Sequence, residues 1–326
     1  MKRKKYSWYE NLPMIDKLPI WYKLEENLSN LKINIGIDKL KLCYKVANDA
    51  VIKELEENKP EFYSLYDCDL RRIVGKYHSD IYQILIPTYN KDNVMKTVVF
   101  GELRWNLKAE SDESNEDAPK GKKVWIYIDN KILYSKGYEM FALEFIAENL
   151  GLRLRNLTEL EIYIDSTKKN LSKLLKRMIR NKEYTAFLNE KEVKDRLEDR
   201  KEIVYTHSGD MDKYKYMTIN VFSQKALKNK VDGISICTYD KHSECLNSGK
   251  DYILDKYDGS ARLHRFEIRV GNEKFKEYCN LNKIELNEFL FRDKGFLYAT
   301  FEWFFEKVIY FKDENKEKIP ITDIIL

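Results

Sequence analysis

Residues 31–46 alternate apolar and polar side chains with a period of two: Leu-Lys-Ile-Asn-Ile-Gly-Ile-Asp-Lys-Leu-Lys-Leu-Cys-Tyr-Lys-Val. Alternation of this kind belongs to a strand whose two faces see different surroundings. A helical segment over 47–58 follows, and then strands over 80–86, 97–105 and 123–128. The same order starts again at Leu157-Thr-Glu-Leu-Glu-Ile-Tyr-Ile-Asp165. Its helix covers 170–180, with Leu171, Leu174, Leu175, Met178 and Ile179 on one face, and its strands cover 202–206, 215–222, 233–240 and 262–270. Asp38 in the first strand parallels Asp165 at the end of the later one. The expected fold is therefore α+β: antiparallel sheets in a duplicated strand–helix–multistrand arrangement, with helices packed on the sheet.

These segments divide the chain into an N-terminal arm at 1–30, a first α+β repeat at 31–151, a second at 152–272 and a helical tail at 273–326. The arm carries Trp8, Trp21, Pro13 and Pro19 as anchors and breakers. Within the first repeat, 110–120 holds five acids with Ser, Asn and Pro and reads as a mobile hairpin tip, while 138–150 carries a helical apolar stripe. Residues 183–201 read as a charged helix. In the tail, 273–280, 286–291 and 296–308 read as helices. Phe301, Trp303, Phe304, Phe305 and Tyr310 crowd the last of them, a density that suits a core or an oligomer interface better than a base-stacking platform.

Bulk properties narrow the class further. The 326 residues are 43% hydrophobic and 13% aromatic, enough for a sizeable core, and only 12 Gly and 6 Pro argue against a fibrous or disordered chain. The 58 basic and 54 acidic residues nearly cancel, so clustering matters more than the net charge of +4. The five cysteines form no CxxC pair or zinc spacing, which suits reduced thiols in a bacterial cytoplasm. The basic N-terminus lacks the apolar stretch of a secretory signal, and no apolar run is long enough to cross a membrane.

The chemistry concentrates between Met217 and Val270. Tyr239-Asp-Lys-His-Ser-Glu244 begins at the end of the 233–240 strand, and Arg265-Phe-Glu267 lies about twenty residues on. A phenol, an ammonium and carboxylates are the groups that a metal-assisted tyrosine attack on a phosphodiester needs. This pattern resembles the transfer-type rolling-circle replication initiators of plasmids and phages, a family that includes the staphylococcal plasmid initiators and related relaxases. The resemblance covers roughly 155–275. It implies a DNA strand-nicking and rejoining protein with a phosphotyrosine intermediate, Tyr239 as nucleophile, and Lys241 and Arg265 beside it. It also implies Mg2+ or Mn2+ held by Asp165, Glu244 and Glu267, since hard cations take carboxylate oxygens. Tyr252 and Tyr257, between the acid-bearing segments, are the next tyrosines to consider.

One departure stands out. Relatives carry Tyr-x-Gly-Ser on the preceding strand, where this chain has Asn220-Val-Phe-Ser223. Which of the family's two tyrosines is the nucleophile stays open. An inactive DNA-binding protein of the same fold, serving as a replication accessory or regulator, and a structural or assembly protein are the alternatives. The four histidines form no His-x-His pair, so a metal site here would be led by carboxylates.

DNA, either an origin or a single strand, is the implied partner, with a host helicase and a second copy of the chain admitted beside it. Residues 168–182 contain seven basic residues and no acid. Lys169, Lys173, Lys176, Arg177 and Arg180 flank the apolar stripe of the 170–180 helix, and a single-sign face of this kind suits phosphate contacts as well as plain solvation. Lys225 and Lys228 form a second basic patch.

Overall fold

The computed structural model describes residues 33–66, 68–74, 80–89, 95–105, 123–135, 140, 142–181, 183–194, 196–208, 216–228, 233–321 and 325. The expected arm at 1–30 and hairpin tip at 110–120 lie outside them. The chain divides into two units. Unit 1 takes residues up to Asp38, Leu160–Ile284 and Phe289–Leu326, and unit 2 takes Lys39–Glu159 and Glu285–Glu288.

Strand β1 (Ile33–Val46) begins the fold and is followed by α1 (Ala50–Asn58). In unit 2, β2 (Phe62–Ser64), β3 (Asp69–Val74), β4 (Asp80–Tyr89), β5 (Met95–Trp105) and β6 (Lys123–Ile128) then form an antiparallel meander that returns to β1. The order is β1-β6-β5-β4-β3-β2. Helices α2 (Asn130–Leu133) and α3 (Ala142–Asn149) complete the unit. One sheet face is sealed by apolar packing. Leu42, Ile126, Leu103 and Tyr82 are fully buried, as are Ile52 and Leu55 of α1, and the Tyr82 hydroxyl donates to the Leu55 carbonyl at 3.4 Å.

Unit 1 repeats the order. Strand β7 (Leu152–Ser166) leads to α4 (Leu171–Arg180), then to β10 (Ile203–Ser208), β11 (Tyr216–Phe222), β12 (Ile234–Asp240) and β13 (His264–Gly271), and β13 returns beside β7. In both units the leading strand ends up next to the last strand of its own meander. The expected α+β arrangement of strand, helix and antiparallel strands is thus observed. Between β7 and β10 lie β8 (Thr185–Leu188) and β9 (Lys191–Glu192). The remaining elements are α5 (Gln224–Lys228), α6 (Lys241–Ser248), α7 (Asp251–Asp255), α8 (Asn272–Leu281), α9 (Lys294–Val308) and β14 (Ile309–Lys312).

Helix α4 follows from its stripe. Leu171, Leu175, Met178 and Ile179 are buried, and the Asn170 side chain caps the first turn by accepting from the Lys173 amide at 2.9 Å. Ser172 meets Thr238 of β12 at 3.2 Å with both side chains buried, which fixes the helix on the sheet. On the same sheet face, Phe266 of β13 meets Phe305 of α9 edge-on at 5.8 Å. Phe301, Phe304 and Phe305 are buried, so the aromatic density of the tail forms core.

The charged helix expected over 183–201 is not formed. Thr185–Leu188 pairs with β14, and Phe187 stacks on Tyr310 at 4.6 Å. Asn189 and Glu190 adopt positive φ of 51° and 65°, which reverses the chain into β9. A tertiary strand partner has overridden the local helical propensity. Among the described residues there, only Leu197–Asp199 is helical, as a 3-10 turn. Among the described residues no helix is long and apolar enough to cross a membrane. The five cysteines are free thiols.

Candidate functional site

Along β12, Ile234, Ile236 and Thr238 point into the helical layer, which leaves Ser235, Cys237 and Tyr239 on the other face. On β13, Phe266, Ile268 and Val270 are buried on the helical side, and Arg265, Glu267 and Arg269 take the opposite one. The register places Tyr239 opposite Arg265, and Cys237 opposite Glu267. Side chains directly opposite each other share a face, so the phenol and the carboxyl meet diagonally.

The Tyr239 hydroxyl donates to Glu267 Oε2 at 3.0 Å, and Lys241 Nζ stands 3.5 Å from the same hydroxyl. Lys241 reaches it from a helix rather than from a continued strand. The strand ends at Asp240, whose carboxylate accepts from the Ser243 amide at 2.9 Å and caps α6. The Tyr-Asp-Lys-x-x-Glu run is thus a strand end, a cap and a first helical turn. Glu244 lies in the first turn of α6. Its carboxylate holds Lys241 Nζ at 2.7 Å and Lys250 Nζ at 3.2 Å.

Below this rim lies a buried guanidinium. Arg265 donates to both oxygens of Asp165, Nε to Oδ1 and Nη2 to Oδ2, each at 2.7 Å, and neither side chain is exposed. Its Nη1 donates to Asp38 Oδ1 at 2.6 Å, and its Cζ lies 3.9 Å from the centre of the Tyr163 ring. Tyr257 donates to Asp165 Oδ2 at 2.6 Å, and Lys256 to the Tyr163 hydroxyl at 2.9 Å. The parallel between Asp38 and Asp165 noted in the sequence therefore ends in one shared cation.

Electrostatics follow from this packing. Burial, and then the neighbouring Asp38 and Glu161, push the Glu267 carboxyl up to about 7. Burial and the Glu267 charge raise the Tyr239 phenol well above its usual range. Burial also pushes Glu244 upward, but the hydrogen bond and charge of Lys241, with Lys250 behind, outweigh it and hold the carboxyl low. Burial and the Asp165 charge raise Tyr257 well above the ordinary phenol range.

Tyr239, Lys241, Arg265 and Glu267 of the expected set are brought together, with Glu244 joined through Lys241 and Asp165 through Arg265. As a metal-binding trio, Asp165, Glu244 and Glu267 do not fit. Asp165 already accepts from Arg265 and Tyr257, Glu244 from two ammonium groups and Glu267 from a phenol. Among the described residues no group of three or more His, Cys, Asp or Glu is placed to hold a metal ion.

The basic residues divide. Lys173 and Arg177 are exposed on α4 and Lys176 is half-buried. Lys169 lies just before that helix, where its amide is held by Ser166 Oγ at 3.0 Å. Arg180 is tied to Glu198 at 2.8 Å and Lys225 to Glu273, while Lys228 is exposed at the end of α5. Sequence reasoning left Asp38, Tyr163 and Lys256 without a role. The aspartate shared by the leading strands of the two repeats was the one signal pointing to Asp38. Asn220 lies opposite Cys237 and so in the cross-strand row that contains Glu267.

No protein-family model matches this sequence, and no curated protein matches it. Among solved structures, the chain is similar to a rolling circle replication initiator protein from Geobacillus stearothermophilus, at 14% identity and a TM-score of 0.43, covering 88% of this chain and 92% of that one.

Proposed function

We propose that this protein nicks and rejoins a DNA strand to initiate rolling-circle replication, with Tyr239 as nucleophile and Glu267 as its base. The observation that carries the reading is the 3.0 Å hydrogen bond from the phenol to a carboxyl poised near neutrality, with an ammonium 3.5 Å from the same oxygen. A base that titrates near working pH is the efficient kind, and a nucleophile held by its base is the usual arrangement for covalent catalysis. In the step, Glu267 takes the phenolic proton and the Tyr239 oxygen bonds to phosphorus. The bond from phosphorus to the 3′ oxygen breaks, and that oxygen leaves as a 3′-hydroxyl once protonated. The 5′-phosphate stays on Tyr239, and the reverse step rejoins the strand. Lys241 stabilises the charge that develops on the phosphate oxygens. The motif Tyr-Asp-Lys-x-x-Glu with Arg-Phe-Glu supports the reading, because its polar residues converge on this one network.

The test is adduct formation on single-stranded and supercoiled DNA, with and without Mg2+ or Mn2+. Wild type should form a covalent adduct, and Tyr239→Phe should bind DNA and form none. An adduct that survives Tyr239→Phe moves the chemistry to another tyrosine, with Tyr257 first.

A second reading is a DNA-binding protein of this fold without cleavage. Two observations favour it. The Tyr239 phenol is held above its usual pKa rather than below it, and Asn220 and Phe222 stand where relatives carry tyrosine and glycine. Binding without any adduct from the wild-type protein would select this reading.

A further inference from the structure

Unit 2 has a sheet face that α1 does not cover. Register defines it: Lys41 lies opposite Tyr127, Lys45 opposite Lys123, Trp125 opposite Arg104 and Tyr127 opposite Glu102. Opposed residues share a face and alternate residues along a strand return to it. The Leu42, Ile126, Leu103 and Tyr82 row belongs to the other, buried side. On β6 the division is clean, with Val124, Ile126 and Ile128 buried and Lys123, Trp125 and Tyr127 partly open.

The composition of this face is one-sided. Across β1, β6 and β5 the described residues place Lys39, Lys41, Lys45, Lys123 and Arg104 on it, against one acid, Glu102, which accepts from Arg104 Nε at 2.8 Å and which a phosphate would have to displace or share. Glu159 of β7 adds one more acid at the margin, with Lys39 at 3.2 Å and Lys41 at 2.7 Å. The cations are set among aromatic rings. Tyr127 has Lys41 Nζ 4.9 Å and Arg104 Cζ 4.5 Å from its ring centre, one cation from each flanking strand. Trp125 lies two residues along the same strand, about 7 Å away at the usual strand rise.

We propose that this face of unit 2 binds single-stranded DNA, with bases stacked on Trp125 and phosphates held by Lys41, Arg104 and their basic neighbours. Charge complementarity selects a polyanion, and rings interleaved with cations select one whose bases are free to stack. A duplex offers this surface its phosphates only, because its bases are already stacked. DNA is chosen over RNA because the inference rests on the strand-nicking reading above, which it extends by assigning a surface to the displaced strand. None of these residues belongs to the Tyr239 network.

The experiment is anisotropy titration of a labelled short oligothymidylate, with the matching duplex and an oligouridylate as controls. Trp125→Ala should weaken oligothymidylate binding by roughly 5- to 150-fold, the loss of one stacked base, and leave duplex binding unchanged. Trp125→Phe should recover most of the affinity. Lys41→Ala combined with Arg104→Ala should flatten the log–log salt slope by about 1.4, or about 0.7 for each single-strand phosphate released. Circular dichroism and thermal midpoints establish that each variant is folded. The proposal is overturned if the folded variants bind oligothymidylate like wild type, or if wild type prefers the duplex or the oligouridylate. The two readings fail separately. Platform-dependent binding without any adduct removes the nicking reading and keeps the platform. Adduct formation with unchanged binding by the platform variants removes the platform and keeps the nicking.

Discussion

Arg265 grips Asp165 with two parallel hydrogen bonds of 2.7 Å, and solvent reaches neither side chain. An ion pair removed from water this completely loses hydration energy that its own attraction barely offsets. Its value lies in what happens when half of it is missing. Arg265→Ala leaves Asp165 and Asp38 facing each other across an empty site and should cost about 3–5 kcal/mol of folding stability. Urea unfolding followed by circular dichroism measures this. A loss below about 1 kcal/mol would show that water enters and solvates the carboxylates.

Glu302, on α9, gives a pH signature. Burial, and next the charge of Glu306, raise its carboxyl from 4.5 to about 7. Between those values the folded chain binds more protons at this site than the unfolded chain does. The contribution of Glu302 is therefore fully present below about pH 4.5 and is lost as pH rises through about 7. Glu302→Gln keeps a neutral side chain at every pH. Wild type should lose up to about 3 kcal/mol more than the variant over that window. Parallel pH–stability curves for the two proteins would remove this account.

Gly36 lets β1 pass against Tyr163. A Cβ at this position would stand 2.6 Å from the Tyr163 hydroxyl oxygen, which also accepts from Lys256. Tyr163 is fully buried beneath the Arg265 guanidinium and has little room to retreat. Gly36→Ala should destabilise the protein by about 1–3 kcal/mol, the usual cost of overpacking. A thermal midpoint equal to wild type would mean that the ring can shift after all.

The basic side of α4 is predicted to add DNA affinity without reading sequence. Replacing Lys173, Lys176 and Arg177 together by Ala should lower the salt slope of duplex binding by roughly 0.9 for each phosphate that is no longer neutralised. Stability should change by no more than about 0.5 kcal/mol per site, since these side chains lie off the buried stripe. An unchanged slope would show a face that is only solvated.

The sequence carried the strands and helices well wherever one face of an element is apolar. Residues 170–180 announced both their helix and its buried stripe, and the strands expected over 233–240 and 262–270 formed as β12 and β13. It failed where a distant partner decides the outcome. Thr185–Leu188 is a strand because β14 pairs with it, and nothing local says so. Asp165 and Tyr163 showed the same limit. Alternation with Ile162 and Ile164 made them look like a polar face, yet both are fully buried because a guanidinium neutralises one and lies over the other. The three-carboxylate metal site was expected from the family resemblance and from strand faces, and neither reveals that Arg265, Lys241 and Tyr239 already engage those carboxylates.

The hydrogen bond between Asp38 and Arg265 joins residues 227 positions apart. During synthesis the aspartate is made long before its arginine, and the closure entropy of so wide a loop must be met before the contact gives anything back. The guanidinium that neutralises Asp165 thus arrives only when β13 is made. A polypeptide interrupted before β13 has Lys241 to face Asp38, at 3.7 Å, but lacks the guanidinium that neutralises the buried Asp165. Such a chain also lacks the Glu267 carboxyl that accepts from the Tyr239 hydroxyl, so one strand completes both the charge balance of the interior and the setting of the phenol.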